Sequence, residues 1–346
     1  MSENEFIIVL THHQILGSLL IPYYAKRESE DVLNVEEQAG IASLTDASLT
    51  DVQKEVVRLA QNYSEKNLMV AYSNEKRVSD FFRKLHEGTL KTEIRPYIEK
   101  QLHAIIELVK LNNLSIYNKD AGKKVLYAHS RFDIPTEYTQ ANFLFEADDD
   151  CFRYSITCTQ GGVPIELLNK KPAVVLSSQP ACILLRSELL VFEEMKAARI
   201  LPFLTRKYVR VDASETRRYL EKITLPVVQS YPTEAIGFEI KEEVITCVPE
   251  LSFEVFNGEE SVRLSFKYGD RSFELSEPAF AKYPRLSDDN NDIFYFCRDE
   301  EKENKLAIRM ETEGLKQVAP GIYILPASAD GHTLKGWAKA HERLFL

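Results

Sequence analysis

The side chains with the clearest chemical bias in this sequence are basic. Between Lys196 and Lys222 lie eight of them: Lys196, Arg199, Arg206, Lys207, Arg210, Arg217, Arg218 and Lys222. Only Asp212, Glu215 and Glu221 oppose them, which leaves a local charge of +5 in a chain whose formal total is -10. Such a strip suits nucleic-acid phosphates, because each Lys or Arg that neutralises one releases a condensed counterion. Tyr208 or Tyr219 would offer an aromatic face for a base. The competing reading is the solvated face of a strand and a helix, with Glu215 and Glu221 as local partners. Arg218 and Lys222 are four apart and share a helix face, whereas Arg217 points away from them. The nominated contacts are therefore Arg206, Lys207, Arg210, Arg218 and Lys222.

Other chemistry-bearing residues form no constellation. His12 and His13 are neighbours in an extended segment, so they face opposite sides and do not chelate as a pair. The five cysteines, Cys151, Cys158, Cys182, Cys247 and Cys297, give no CxxC and no zinc-ligand spacing. Asp288, Asn290 and Asp292 form a D-x-N-x-D run. Ile293 stands where a calcium loop needs its glycine, and Asp299 where it needs Glu, so a polar loop is expected there. No G-x-x-x-x-G-K-[ST] occurs, Gly122-Lys123-Lys124 lacks the rest of a phosphate loop, and no G-x-S-x-G is present. No cofactor, metal or catalytic residue is expected.

The elements that must position these groups are legible in outline. At 346 residues the chain calls for two or three domains. Its 44% hydrophobic and 28% charged content is that of a folded soluble protein. An odd number of scattered cysteines fits reduced thiols in a cytoplasm better than a disulfide framework. No apolar stretch is long enough for a membrane span, and the N-terminus lacks the basic start of a signal peptide.

Phe6 to Leu10 and Ile15 to Tyr24 read as paired strands, with His12-His13-Gln14 as a tight connection. Glu28 to Thr50 reads as a linker or mobile loop. Helical patterns follow over Asp51 to Tyr63, Asn67 to Leu85 (broken near Ser73-Asn74) and Thr92 to Leu111. In the last of these, Ile94, Ile98, Leu102, Ile105, Ile106 and Val109 make an apolar stripe, and Pro96 falls early enough to be tolerated.

From about residue 115 short strand patterns take over, separated by turn residues such as Gly161-Gly162 and Gln179-Pro180. The strip follows: an apolar run from Ile200 to Leu204, in which Ile200, Leu201, Phe203 and Leu204 are expected in the core, a strand over Lys207 to Val211, and a helix capped by Asp212 or Ser214 through Ile223. In the last third, Ile236 to Ile240 reads as a strand and LSFEVFNGEESVRLSFKYGDRSFEL as a meander turned by Asn257-Gly258 and Gly269-Asp270. A helix over Glu300 to Glu313 ends at Gly314, and a terminal helix spans Leu334 to Phe345. The expected fold is α+β: a helical N-terminal region with a few strands (1–114), a β-rich middle domain (115–234) and a C-terminal antiparallel hairpin-and-helix module (235–346).

Several stretches together resemble one family. VLTHHQILGSLLIPY, EIRPYIEKQL, RILPFLTRKYVRV, VRLSFKYG and CRDEEKENKLAIRMETEGL look like the region preceding the motor in bacterial Swi/Snf-like helicases, over most of the chain from about Phe6. In that family, strand-rich modules ending in an R-D-x-x-x-E type helix, here Arg298, Asp299 and Glu303, precede two RecA-like motor lobes. This sequence departs from the family in lacking a Walker A lysine, a D-E-x-H box and the Cys/His zinc module of some relatives.

The resemblance implies a non-catalytic accessory region, a pre-motor fragment or a stand-alone relative. It would position duplex DNA, a protein partner or a motor domain of the same parent chain. A scaffold or protein-interaction module without nucleic-acid affinity is the alternative, supported by net acidity and by aromatic residues such as Trp337, Phe345 and Tyr323. An enzyme with an unrecognised site would instead show a deep pocket of converging Asp, Glu or His. Oligomeric state is not encoded in any of these patterns.

Overall fold

The structure is a computed structural model and describes residues 4–119, 124–148, 151–169, 173–278, 280, 282–288, 291–326 and 333–341. It is a mixed fold of helices and several sheets. The chain separates into two compact units, both discontinuous in sequence: residues 1–141 with 155–209, and residues 142–154 with 210–346.

The first unit is built on a five-stranded sheet in the order Ile116–Asn118, Asn4–His13, Gly17–Ser29, Val32–Gln38, Val125–Tyr127. Its central strands read as unbroken apolar runs because both faces are covered. Ile8, Leu10 and Leu20 pack with the helices, while Ile7, Val9, Ala25, Leu33, Val35, Tyr117 and Leu126 form a core on the opposite face.

His12 and His13 are the last residues of the first strand, not its turn, and the reversal falls on Gln14 to Leu16. His13 Nδ1 accepts hydrogen bonds from the Ile15 and Leu16 N–H groups at 3.2 and 3.0 Å, and Nε2 lies 3.2 Å from Glu65 Oε1. The ring is thus a turn anchor. The stretch from Glu28 to Thr50 is not a linker: it holds strand Val32–Gln38 and the 3-10 turn Ile41–Thr45. Its acidic residues mask the short alternation that buries Leu33 and Val35.

Helix Asp51–Asn62 starts at a capping box in which Thr50 and Gln53 each accept the other's backbone N–H. The stripe foreseen in the long helix Arg95–Asn112 and the turn before it is buried throughout. The helical path begins earlier, at Glu87–Thr89, and passes through a π turn, Leu90–Ile94, before Pro96. A proline inside a helix lacks one N–H and crowds the carbonyl four residues back. The wider turn relieves this, and the Arg95 N–H reaches back five residues to the Leu90 carbonyl.

The second unit repeats the device: Thr216–Tyr219, a π turn at Leu220–Thr224, then Leu225–Ser230 with Pro226. There the Leu225 N–H bonds the Leu220 carbonyl. The same unit pairs Thr233–Ile236 in parallel with Phe143–Glu146. The strand foreseen over Ile236 to Ile240 is interrupted, and pairing resumes at Ile240–Glu242. Gly237 makes the break at φ +82, and a Cβ there would meet the Ala147 carbonyl oxygen at 1.9 Å.

The expected meander is present as Cys247–Phe256, Glu259–Tyr268 and Arg271–Glu274. Asn257 and Gly258 both take positive φ, as a tight hairpin turn requires. Two of the aromatics that would support a protein-interaction module belong instead to the core beneath this sheet: Trp337 is 5% exposed and Tyr323 1%. Phe345 lies outside the described residues. The terminal helix is described over Leu334–Ala340.

Candidate nucleic-acid interface

The sequence strip falls partly in each unit. Ile200, Phe203 and Leu204 are buried as expected, while Leu201, expected in the core, is 38% exposed, because the run folds as a short helix and a 3-10 turn that face one side chain outward. Arg206 and Lys207 follow that turn in the first unit and are exposed. Strand Val209–Asp212, which neighbours strand Cys151–Gln160, carries Arg210. Helix Thr216–Tyr219 with the π turn carries Arg217, Arg218 and Lys222. Arg210, Arg218 and Lys222 thus share the second unit, all exposed.

Their partners differ. Arg217 donates to the Ser287 carbonyl at 3.1 Å and lies 3.7 Å from Glu221, so it is committed to its own unit. Arg218 meets Glu215 at 3.4 Å. Arg206, Lys207, Arg210 and Lys222 form no ion pair among the described residues. Of the two tyrosines, Tyr219 is held between Phe152 and Tyr154, at ring distances of 5.9 and 5.7 Å, and is not available to a base. Tyr208 is 47% exposed.

The Arg210 charge also bears on Cys151. Burial and a contact at 3.6 Å with Asp148 push that thiol up, and the Arg210 and Arg153 charges oppose the shift. All five cysteines are free thiols. No group of His, Cys, Asp and Glu able to hold a metal occurs among the described residues, and Asn290 of the D-x-N-x-D run lies outside them. Asp292 Oδ1 accepts from the Glu239 N–H at 2.8 Å.

The R-D-x-x-x-E residues have a different character. Arg298 Nε and Nη2 lie 3.0 and 2.6 Å from the two Glu303 carboxylate oxygens, and the side chains are 3% and 2% exposed. Tyr268 Oη donates to Glu303 Oε1 at 2.7 Å and accepts from the Asp299 N–H at 2.8 Å. Asp299 caps the helix by accepting from the Lys302 N–H. The guanidinium sits 4.9 Å over the Phe273 ring. The Glu303 hydrogen bond raises the Arg298 pKa, and burial raises that of Tyr268. This lock ties helix Glu300–Thr312 to the hairpin and cannot reach a ligand.

A second basic site went unread in the sequence: Arg131 and Arg186, distant in the chain, line one cleft of the first unit. No local signal marked it: Arg186 takes a positive φ in a two-residue turn that lacks the glycine or asparagine usual there. No protein-family model matches the chain, and no curated protein matches it significantly. No helix among the described residues is long and apolar enough to cross a membrane.

Proposed function

We propose that this chain is a non-catalytic accessory region of a Swi/Snf-like helicase or DNA translocase. In this reading Arg206, Lys207, Arg210, Arg218 and Lys222 contact the phosphates of duplex DNA and present it to a motor domain in the same parent chain. One observation carries the reading. In an acidic chain, four of these five exposed cations have no carboxylate partner among the described residues and remain free for an external anion. The layout as a helical N-terminal region, a β-rich middle and a C-terminal hairpin-and-helix module belongs to the same proposal. So does a cytoplasmic setting, supported by the free thiols.

Salt dependence of duplex binding tests the phosphate contacts. Fluorescence anisotropy across a salt series should give a log–log slope of about -0.9 for each phosphate neutralised. Arg210→Gln, Arg218→Gln and Lys222→Gln together should flatten that slope by about 3. A duplex that fails to bind at low salt, or a slope that the triple variant leaves unchanged, refutes this interface.

The alternative, an interaction module without nucleic-acid affinity, draws its support from another place. Edge strand Cys247–Phe256 leaves Phe253 47% and Val255 72% exposed on one face. An unpaired strand edge with apolar side chains invites strand addition by a partner. If Val255→Lys abolishes association with a motor domain while duplex binding is absent, this reading replaces the first.

A further inference from the structure

The cleft at Arg131 and Arg186 is separate from the strip and is built by backbone contacts. Strand Val125–Tyr127 leads into the 3-10 turn Ala128–Ser130, after which Arg131 bridges Tyr117. Strands Ala181–Leu185 and Glu188–Val191 pair through Leu185 and Glu188, leaving Arg186 and Ser187 as the turn between them. The Asp133 N–H donates to the Ser187 carbonyl at 3.1 Å, and the Leu189 N–H to the Asp133 carbonyl at 3.3 Å. These bonds fasten the turn beside the segment that carries Arg131. The result is a concavity of about 220 Å³ lined by Tyr127, His129, Ser130, Arg131, Arg186 and Ser187, among others.

Three features of this cleft point to a ligand. Neither guanidinium makes a hydrogen bond or ion pair among the described residues, although the protein carries ten more negative than positive charges. Arg186 holds φ +57, a conformation that costs a side-chain-bearing residue about 1 kcal/mol and favours glycine. Tyr127 and His129 stack at the cleft with centroids 5.4 Å apart and planes 11° from parallel, both exposed.

We propose that this cleft binds a phosphate group. Two unpaired guanidiniums present planar forks that match phosphate oxygens in paired hydrogen bonds, and the imidazole of His129 adds a third donor. The volume falls below the roughly 300 Å³ at which pockets enclose drug-sized ligands. The phosphate enters, and the organic part of a phosphomonoester stays outside against the Tyr127–His129 stack. Free phosphate and a phosphomonoester share this chemistry.

Calorimetry of the whole chain with inorganic phosphate and with adenosine 5′-monophosphate tests the site. Saturable one-to-one binding is expected, weakened about tenfold or more by Arg131→Gln and by Arg186→Gly, since each removes charge-assisted hydrogen bonds. Glycine suits the backbone at position 186, so Arg186→Gly keeps the fold, as circular dichroism verifies. The triple variant at Arg210, Arg218 and Lys222 leaves phosphate binding unchanged, which separates this site from the strip. Tighter binding of the nucleotide than of phosphate identifies a phosphomonoester as the source, and equal binding identifies free phosphate. Absence of saturable binding at about 1 mM ligand, or binding indifferent to Arg186→Gly, overturns the proposal.

Discussion

Arg298 and Arg186 put the same side chain to opposite uses. Arg298 is sealed against Glu303, with Tyr268 and Phe273 completing its surroundings. Arg186 stands on a turn with no partner among the described residues and in a backbone conformation that does not suit it. Arg95 resembles Arg298. Its Nη1 donates to the Leu16 and Ser18 carbonyls at 2.6 and 3.3 Å, its Nη2 to Val175 at 3.2 Å, and its Nε to Glu99 at 3.1 Å. Glu99 in turn accepts from the Ser178 N–H. Arg206, Lys207, Arg210 and Lys222 fall on the Arg186 side. In a chain this acidic, an exposed cation without a carboxylate is one that local structure does not use, and that distinction separates architecture from binding.

The comparison breaks first at Arg298. Arg298→Met leaves the Glu303 carboxylate buried without its counter-charge, and urea denaturation should show a loss of about 3–5 kcal/mol. Adding Glu303→Leu should recover much of it, because the desolvated charge is then gone. A small loss in the single variant would place Arg298 among the dispensable arginines. Arg95→Met should cost about 2–3 kcal/mol, since it strips a donor from three carbonyls and leaves Glu99 half satisfied. The triple replacement of Arg210, Arg218 and Lys222 by Gln should leave stability within about 0.5 kcal/mol while it flattens the salt dependence of duplex binding. Arg186→Gly is the smallest effect: a gain of up to about 0.5 kcal/mol, as relief of the positive φ slightly exceeds the entropy cost of glycine. A loss there would mean that the guanidinium supports the fold after all.

What the sequence made legible was whatever repeats at short range. The stripe from Ile94 to Val109, the Asn257-Gly258 hairpin and the glycine stop at Gly314 were all readable, because periodicity and turn chemistry are local. Pairings between distant segments were not. Nothing in Thr233–Ile236 announces that it lies parallel to Phe143–Glu146, and Val32–Gln38 was hidden because its exposed face is acidic. The basic strip stood out through charge density, but which of its cations are committed, such as Arg217 through Ser287, depends on contacts made far along the chain. Arg131 and Arg186 were invisible for the same reason. Each is unremarkable alone, and only the hydrogen bonds around Asp133 bring them to one cleft.

The π turns before Pro96 and Pro226 have an effect on phase as well as on sterics. Thr216, Leu220, Thr224 and Val228 are all buried and recur every four residues. On an unbroken α-helix each such step overshoots a full rotation by about 40°, and three steps would wind the last contact about 120° off the first. One wider turn absorbs much of that winding. A sequence with a four-residue rhythm can therefore keep one straight seam against its own unit, leaving Arg218 and Lys222 turned to solvent. Deleting a single residue between Leu220 and Thr224 would restore ordinary helical pitch with eleven steps from Thr216 to Val228, only about 20° beyond three full turns, so the seam tolerates loss of the extra residue together with the wider turn but not its retention on an unbroken α-helix.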